Sequence, residues 1–163
     1  MKNTFLVIIL LFSTCIFGQA YTGKGDVKFQ VGANLQNNGT GISGSLDFGV
    51  GENISFGVSS SYLLGVDEVL ETEFIDRFDI KGRFNANIGN VINVDENLDI
   101  YPGLYLSMKN FGGHFGVRYF FTSGFGVFSE LTVPFAKYNT TLLTPAETLH
   151  NQFSVNLGAS FNI

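Results

Sequence analysis

The sequence predicts an all-β fold, an eight-stranded antiparallel up-and-down transmembrane β-barrel. From Val27 onward, apolar residues occupy every second position in segment after segment, the period of a strand with one apolar face. The residues between them are mostly Ser, Gly and Asn, and clusters of turn formers separate the segments. Segments of roughly ten residues match the strand length that crosses a bilayer as part of a barrel.

The apolar faces run as follows. The first segment carries Val27, Phe29, Val31, Ala33 and Leu35, and the second Ile42, Leu46, Phe48 and Val50. The third has Ile54, Phe56, Val58, Tyr62 and Leu64; the fourth has Phe78, Ile80, Phe84, Ala86 and Ile88. Leu98, Ile100, Leu104, Leu106 and Met108 form the fifth, and Phe115, Val117, Tyr119 and Phe121 the sixth. The seventh carries Phe125, Val127, Leu131, Val133 and Phe135, and the last Phe153, Val155, Leu157, Ala159, Phe161 and Ile163.

The connections fall at 51–53, 90–97 and 122–124 on one side, and at 36–40, 65–73, 110–113 and 137–151 on the other. With both termini in the periplasm, the second set is extracellular and contains the longest loop, the asymmetry expected of a membrane barrel.

Ahead of the strands, Lys2 precedes an unbroken apolar run from Phe5 to Phe12, and the small Gly18 suits a cleavage position. The run is too short to span a membrane, so residues 1–18 read as a signal peptide cut between Gly18 and Gln19, with the barrel domain at 19–163. Cys15, the single cysteine, is lost with the leader.

Composition agrees. Of 163 residues only 14% are charged, against roughly 25% in ordinary soluble domains. A soluble lipocalin-like barrel would turn its polar face to water, yet these polar faces carry too little charge for a soluble surface. The apolar faces are also too bulky for a narrow interior, whereas Ser, Gly and Asn fit there. Eighteen Phe and six Tyr include two girdles, Tyr62, Phe78, Phe115, Phe135 and Phe153 towards the outside, and Phe48, Phe84, Tyr119, Phe125 and Phe161 towards the periplasm. The net charge of −5 argues against a nucleic-acid partner.

With its signal peptide, eight alternating strands and closing segment Ala159-Ser160-Phe161-Asn162-Ile163, the whole mature chain resembles the small outer-membrane barrels of the OmpA, OmpX and OmpW type. The resemblance implies residence in the outer membrane of a Gram-negative bacterium, contact with outer-membrane lipid, and insertion by the barrel-assembly machinery. Barrels of this type usually end on an aromatic residue; here Ile163 ends the chain and the aromatic is Phe161.

Charges on the inward faces are the candidate site. Lys28, Arg77, Lys81, Arg83, Lys109 and Arg118 oppose Asp47, Asp79, Asp99 and Glu130, and in a narrow interior they must be paired or hydrated. A turn at Ser123 puts Arg118 diagonal to Glu130. The network reads as a plug; its alternative is a gate. Tyr101, Tyr105, Phe120 and Phe128 also point inward and help to close the lumen.

The outer loop holding Asp67, Glu68, Glu71, Glu73 and Asp76 reads as a solvated acidic surface, since its spacing matches no calcium loop. His114 and His150 fall near the outer rim, with Ser107, Ser154 and Glu147, but no motif fixes a nucleophile–base pair. The run Gly39-Thr40-Gly41-Ile42-Ser43-Gly44 matches a dinucleotide fingerprint by letter but leads into a strand instead of a helix. No catalytic, cofactor or metal site is assigned. The expected molecule is a closed, porin-like monomer with a structural or surface-interaction role. A narrow solute channel is the first alternative and an outer-membrane lipid-modifying enzyme the second.

Overall fold

The structure is a computed structural model that describes residues 19–67, 72–139, 144 and 146–163. The predicted leader lies outside the described residues. Eight strands form one closed antiparallel barrel in sequence order: β1 (Val27–Gln36), β2 (Gly39–Gly49), β3 (Ile54–Val66), β4 (Phe78–Ala86), β5 (Leu98–Ser107), β6 (Asn110–Phe120), β7 (Phe125–Lys137) and β8 (Ser154–Asn162). Closure comes from β8 pairing with β1, Phe29 opposite Phe161 and Asn34 opposite Asn156, so the sheet has no free edge.

The predicted alternation sets the two faces. Phe56, Val58, Ile80, Leu104, Leu106, Phe115, Leu131 and Leu157 are exposed on the outer wall, whereas Gln30, Asn34, Asp47, Asn85, Tyr101, Arg118, Glu130 and Asn156 are buried inside. Aromatic pairs staple neighbouring strands on the outer wall, as where Phe56 and Phe84 face each other in register with ring centroids 5.1 Å apart.

Two connections are shorter than the sequence reading makes them. Residues 110–113 belong to β6, and the turn lies one step earlier, where Ser107 accepts hydrogen bonds from the backbone N–H groups of Lys109 and Asn110. Gly112 and Gly113 look like turn formers but serve packing: a Cβ on Gly112 would run into the Tyr105 ring, and one on Gly113 into Phe135. The 36–40 loop shrinks to Asn37 and Asn38, with Asn38 at φ +58° in the left-handed region that Asn tolerates.

Two short helices flank β4: α1 (Phe74–Arg77) on the β3–β4 connection and α2 (Gly89–Ile92) on the β4–β5 connection.

Candidate functional site

The lumen is filled in three layers. In the middle, five ionic side chains form a continuous chain of alternating sign, Glu130–Arg83–Asp47–Arg118–Asp99. Arg83 meets Glu130 at 2.7 Å and Asp47 at 3.2 Å; Arg118 meets Asp99 at 2.7 Å and Asp47 at 3.9 Å. These residues sit on β7, β4, β2, β6 and β5, so Asp47 and Arg118 reach towards each other from opposite walls.

The strands make room for this. Gly57 lies between Asp47 and Arg83 in register, and a Cβ there would strike the Asp47 carboxylate. Gly116 lies opposite Tyr101, whose ring occupies the space a side chain would take. That ring in turn carries the Arg118 guanidinium 4.6 Å from its centroid and Arg83 at 5.7 Å, a cation–π stack that shields both. Asn87 accepts from Arg118 at 2.8 Å, Asn85 accepts from Arg83 at 3.2 Å, and Ser55 accepts from both amides. Asp47 sits within ion-pair distance of both guanidinium groups but accepts no well-aligned hydrogen bond, which makes it the least satisfied member.

At the end carrying the termini, residues 19–26 fold across the opening. The Tyr21 hydroxyl donates to the Ile54 carbonyl at 2.7 Å, and Asn90 donates to the Tyr21 carbonyl at 2.7 Å. Lys28 pairs with Asp26 at 2.6 Å and lies 5.3 Å above the Phe120 ring. Burial, together with the Asp26 carboxylate, pushes the Tyr21 phenol up to about 12. Neither Asp26 nor Tyr21 belongs to an alternating segment, and no sequence signal marked them.

At the opposite end, residues 146–151 turn down into the mouth. Leu149 and the inward-facing Leu63 are both fully buried, and both side chains lie against Gly39. His150, at φ +64°, is held on every side: its backbone N–H donates to Gln36 at 3.0 Å, its carbonyl accepts from Asn110 at 3.0 Å, and its Nε2 donates to the Arg77 carbonyl at 2.8 Å. That last bond fixes the tautomer, leaving Nδ1 as acceptor towards the Ser61 hydroxyl 3.4 Å away. Burial, with the nearby Lys109 and Lys81 charges, pushes His150 down to about 3, so the ring is neutral. Between this cap and the ionic layer a polar cavity of about 30 Å³, lined by Ser45, Ser59, Ser61, Lys81, His114 and Glu130, has room for one or two waters.

Several anticipated roles change place. Arg118 does stand diagonal to Glu130, opposite Phe128, but Glu130 bonds Arg83 and Arg118 bonds Asp99. Lys81 and Asp79 form a looser pair at 3.7 Å, with Lys81 over the Tyr105 ring. Arg77 and Lys109 are rim residues, not interior ones. Arg77 lies in α1 and donates to Thr72, while Lys109 lies in the β5–β6 turn and donates to the Asp76 carbonyl. The pleat projects only strand residues inward, and these two lie beyond the strand ends.

Of the acidic loop, Glu68 and Glu71 lie outside the described residues. Glu73 caps the start of α1 and Asp76 lies in its first turn, the Asp76 carboxylate accepting from the Glu73 backbone N–H at 3.0 Å. Among the described residues no cluster has the makings of a metal site. Of the rim serines, Ser107 caps its own turn and Ser154 starts β8 opposite Gln36 and Thr132; the serine that contacts His150 is Ser61, which the sequence reading did not single out. Glu147 bonds Thr144, away from the His150 ring.

A family model matches residues 11–163. The chain belongs to the family of unknown function DUF6646. No curated protein matches it by sequence. Among solved structures, this DUF6646 chain is similar to the N-terminal β-barrel domain of Pseudomonas aeruginosa OprF, with a TM-score of 0.55 at 12% identity, covering 87% of this chain and 100% of that one. It is also similar to a de novo designed transmembrane β-barrel, with a TM-score of 0.53 at 12% identity, covering 87% and 98%. These likenesses give the DUF6646 chain the fold of small outer-membrane β-barrels.

Proposed function

We propose that this DUF6646 chain is exported by a signal peptide cleaved after Gly18, inserted into the outer membrane, and works there as a closed monomeric barrel. Its role is structural or surface-directed and not that of a pore. One observation carries the reading: the Glu130–Arg83–Asp47–Arg118–Asp99 chain spans the lumen from wall to wall. A conduit would need those pairs to part, and a buried charge deprived of its partner is strongly destabilising, by about 3–5 kcal/mol. The surfaces left for interaction lie on the connections at the outer end, where Glu73, Tyr138, Asn139 and Glu147 are exposed.

The Ser61–His150 contact is read as a latch. Its 3.4 Å length and its burial suit a cap more than an exposed nucleophile.

The test is conductance across a planar lipid bilayer, using protein whose gel mobility shifts on boiling and which is therefore folded. Silence is the expected result. Discrete, reproducible channels would overturn the closed barrel and favour the narrow-conduit reading.

A further inference from the structure

The β3–β4 connection, anticipated as an acidic surface loop, carries an exposed apolar pair just before β4. In α1, Phe74 and Ile75 are 66% and 50% exposed, as open as the apolar outer wall, where Phe56 is 53% exposed. Phe74 does not stand apart from that wall. Tyr62 and Phe78 face each other in register across β3 and β4, and the Phe74 ring lies against both, 5.4 Å from Tyr62 and 5.8 Å from Phe78 at an interplanar angle of 15°. The outer aromatic girdle therefore continues beyond the strands, onto a helix.

The helix is also fastened from the lumen side. Its last two carbonyls, of Asp76 and Arg77, accept from Lys109 Nζ at 2.8 Å and His150 Nε2 at 2.8 Å. These bonds satisfy backbone acceptors that a short helix leaves open, which lowers the cost of holding its apolar side in a poorly hydrated layer. With the polar side tied inward and Phe74 stacked on the wall, the apolar pair can only point away from the barrel.

We propose that α1 is a membrane-interface anchor, with Phe74 and Ile75 seated among the lipid acyl chains at the outer rim. The occupant is lipid because the patch is continuous, ring against ring, with the lipid-facing wall. Aromatic side chains at this depth are what hold barrels in register with the bilayer. The inference rests on the membrane reading above. It assigns the acidic carboxylates at 73 and 76 to the headgroup layer just above the anchor.

The chain contains no Trp, so a single substitution is an unambiguous reporter. Phe74→Trp and, as a control on the wall, Phe56→Trp are refolded separately into vesicles with and without brominated acyl chains. A boiling-dependent mobility shift confirms that each has folded. Blue-shifted emission lost to bromine in both variants is the expected result. Loss of emission in Phe56→Trp only, with red-shifted emission from Phe74→Trp, overturns the anchor and leaves the barrel in the membrane. Blue-shifted but unquenched emission from Phe74→Trp also overturns it, since the ring is then covered by protein. Absence of quenching in both folded variants overturns the membrane reading and the anchor together. Adding His150→Ala should weaken quenching in Phe74→Trp and leave Phe56→Trp unchanged, because only α1 depends on that fastening.

Discussion

The middle of the lumen and its outer mouth are both filled, but with different materials held in different ways. The middle is ionic, and every member of its chain projects from a strand whose pleat fixes its direction. The mouth is closed by Leu149 on Leu63 and by a neutral His150, all but Leu63 from the 146–151 turn, held by bonds to backbone as well as to side chains. Charges suit the rigid middle, where alternating signs neutralise one another without rearrangement. A turn has less positional certainty, and an apolar side chain with a neutral imidazole tolerates small displacements that an ion pair does not. The two layers should therefore fail differently.

The largest effect is expected where the ionic layer loses a shared partner. Arg118→Ala strands Asp99 and removes one of the two cations around Asp47, both buried. A loss of about 3–5 kcal/mol is expected, read as a lower urea midpoint for unfolding from vesicles. Arg118→Lys should recover only part of it, because a point charge cannot serve Asp99 through two nitrogens and Asn87 at once. A loss below about 1 kcal/mol, the range of an exposed pair, would mean that water reaches the layer.

Leu149→Ala should cost less, about 2 kcal/mol, at the lower end for a buried leucine, because a turn can settle into the space it leaves. Its signature is local. Hydrogen exchange should speed up at the amides of Leu149 and Asn151, which bond within the turn, and remain unchanged at Phe128 in β7. Equal acceleration at both places would mean that cap and barrel unfold as one unit.

The cap should also respond to acid. An unconstrained imidazole takes a proton near 6.5, whereas the buried His150 ring resists until about 3. Between those values the undocked turn binds the extra proton, so the stability His150 lends is complete above 6.5 and falls as pH drops. At pH 5 the cap should be weaker by about 2 kcal/mol. Exchange at the Leu149 amide, referred to Phe128 in the same sample, reports this difference. His150→Asn keeps a residue that accepts a positive φ and should flatten the dependence. An unchanged slope in that variant would place the titrating group elsewhere.

This contrast also explains what was legible in the sequence. Period-two alternation fixes a side chain's face, so the residue order alone places Asp47, Arg83, Asp99, Arg118 and Glu130 inside. Which acid meets which base is not legible there, because Arg83 and Glu130 come together across the lumen from strands three apart in the barrel, a distance set by closure and shear. Arg77 and Lys109 are misplaced by alternation carried past the strand ends. Leu63 stands on a polar face as an unexplained leucine, the one sign that something apolar enters the mouth. Its partner Leu149 lies in a loop, where position carries no orientation. The acidity of the 67–76 connection likewise hides Phe74 and Ile75, whose role depends on how α1 folds back.

The closure at the other end tests what a neutral hydroxyl adds beside the Asp26–Lys28 pair. Tyr21→Phe removes only a hydroxyl, which donates to the Ile54 carbonyl at 2.7 Å and sits 3.1 Å from that of Gly51. The ring would remain, so the expected loss is about 1 kcal/mol, a shift of the urea midpoint smaller than any above. Because burial holds the phenol neutral to about 12, against an ordinary 10, the phenol's contribution should persist below pH 10 and fade as the pH rises above it. A neutral effect of Tyr21→Phe at pH 8 would show that the 19–26 segment is held by Asp26–Lys28 and Asn90 instead. An ion pair, Asp26–Lys28, would then be a main fastening of this end, as ion pairs are of the middle.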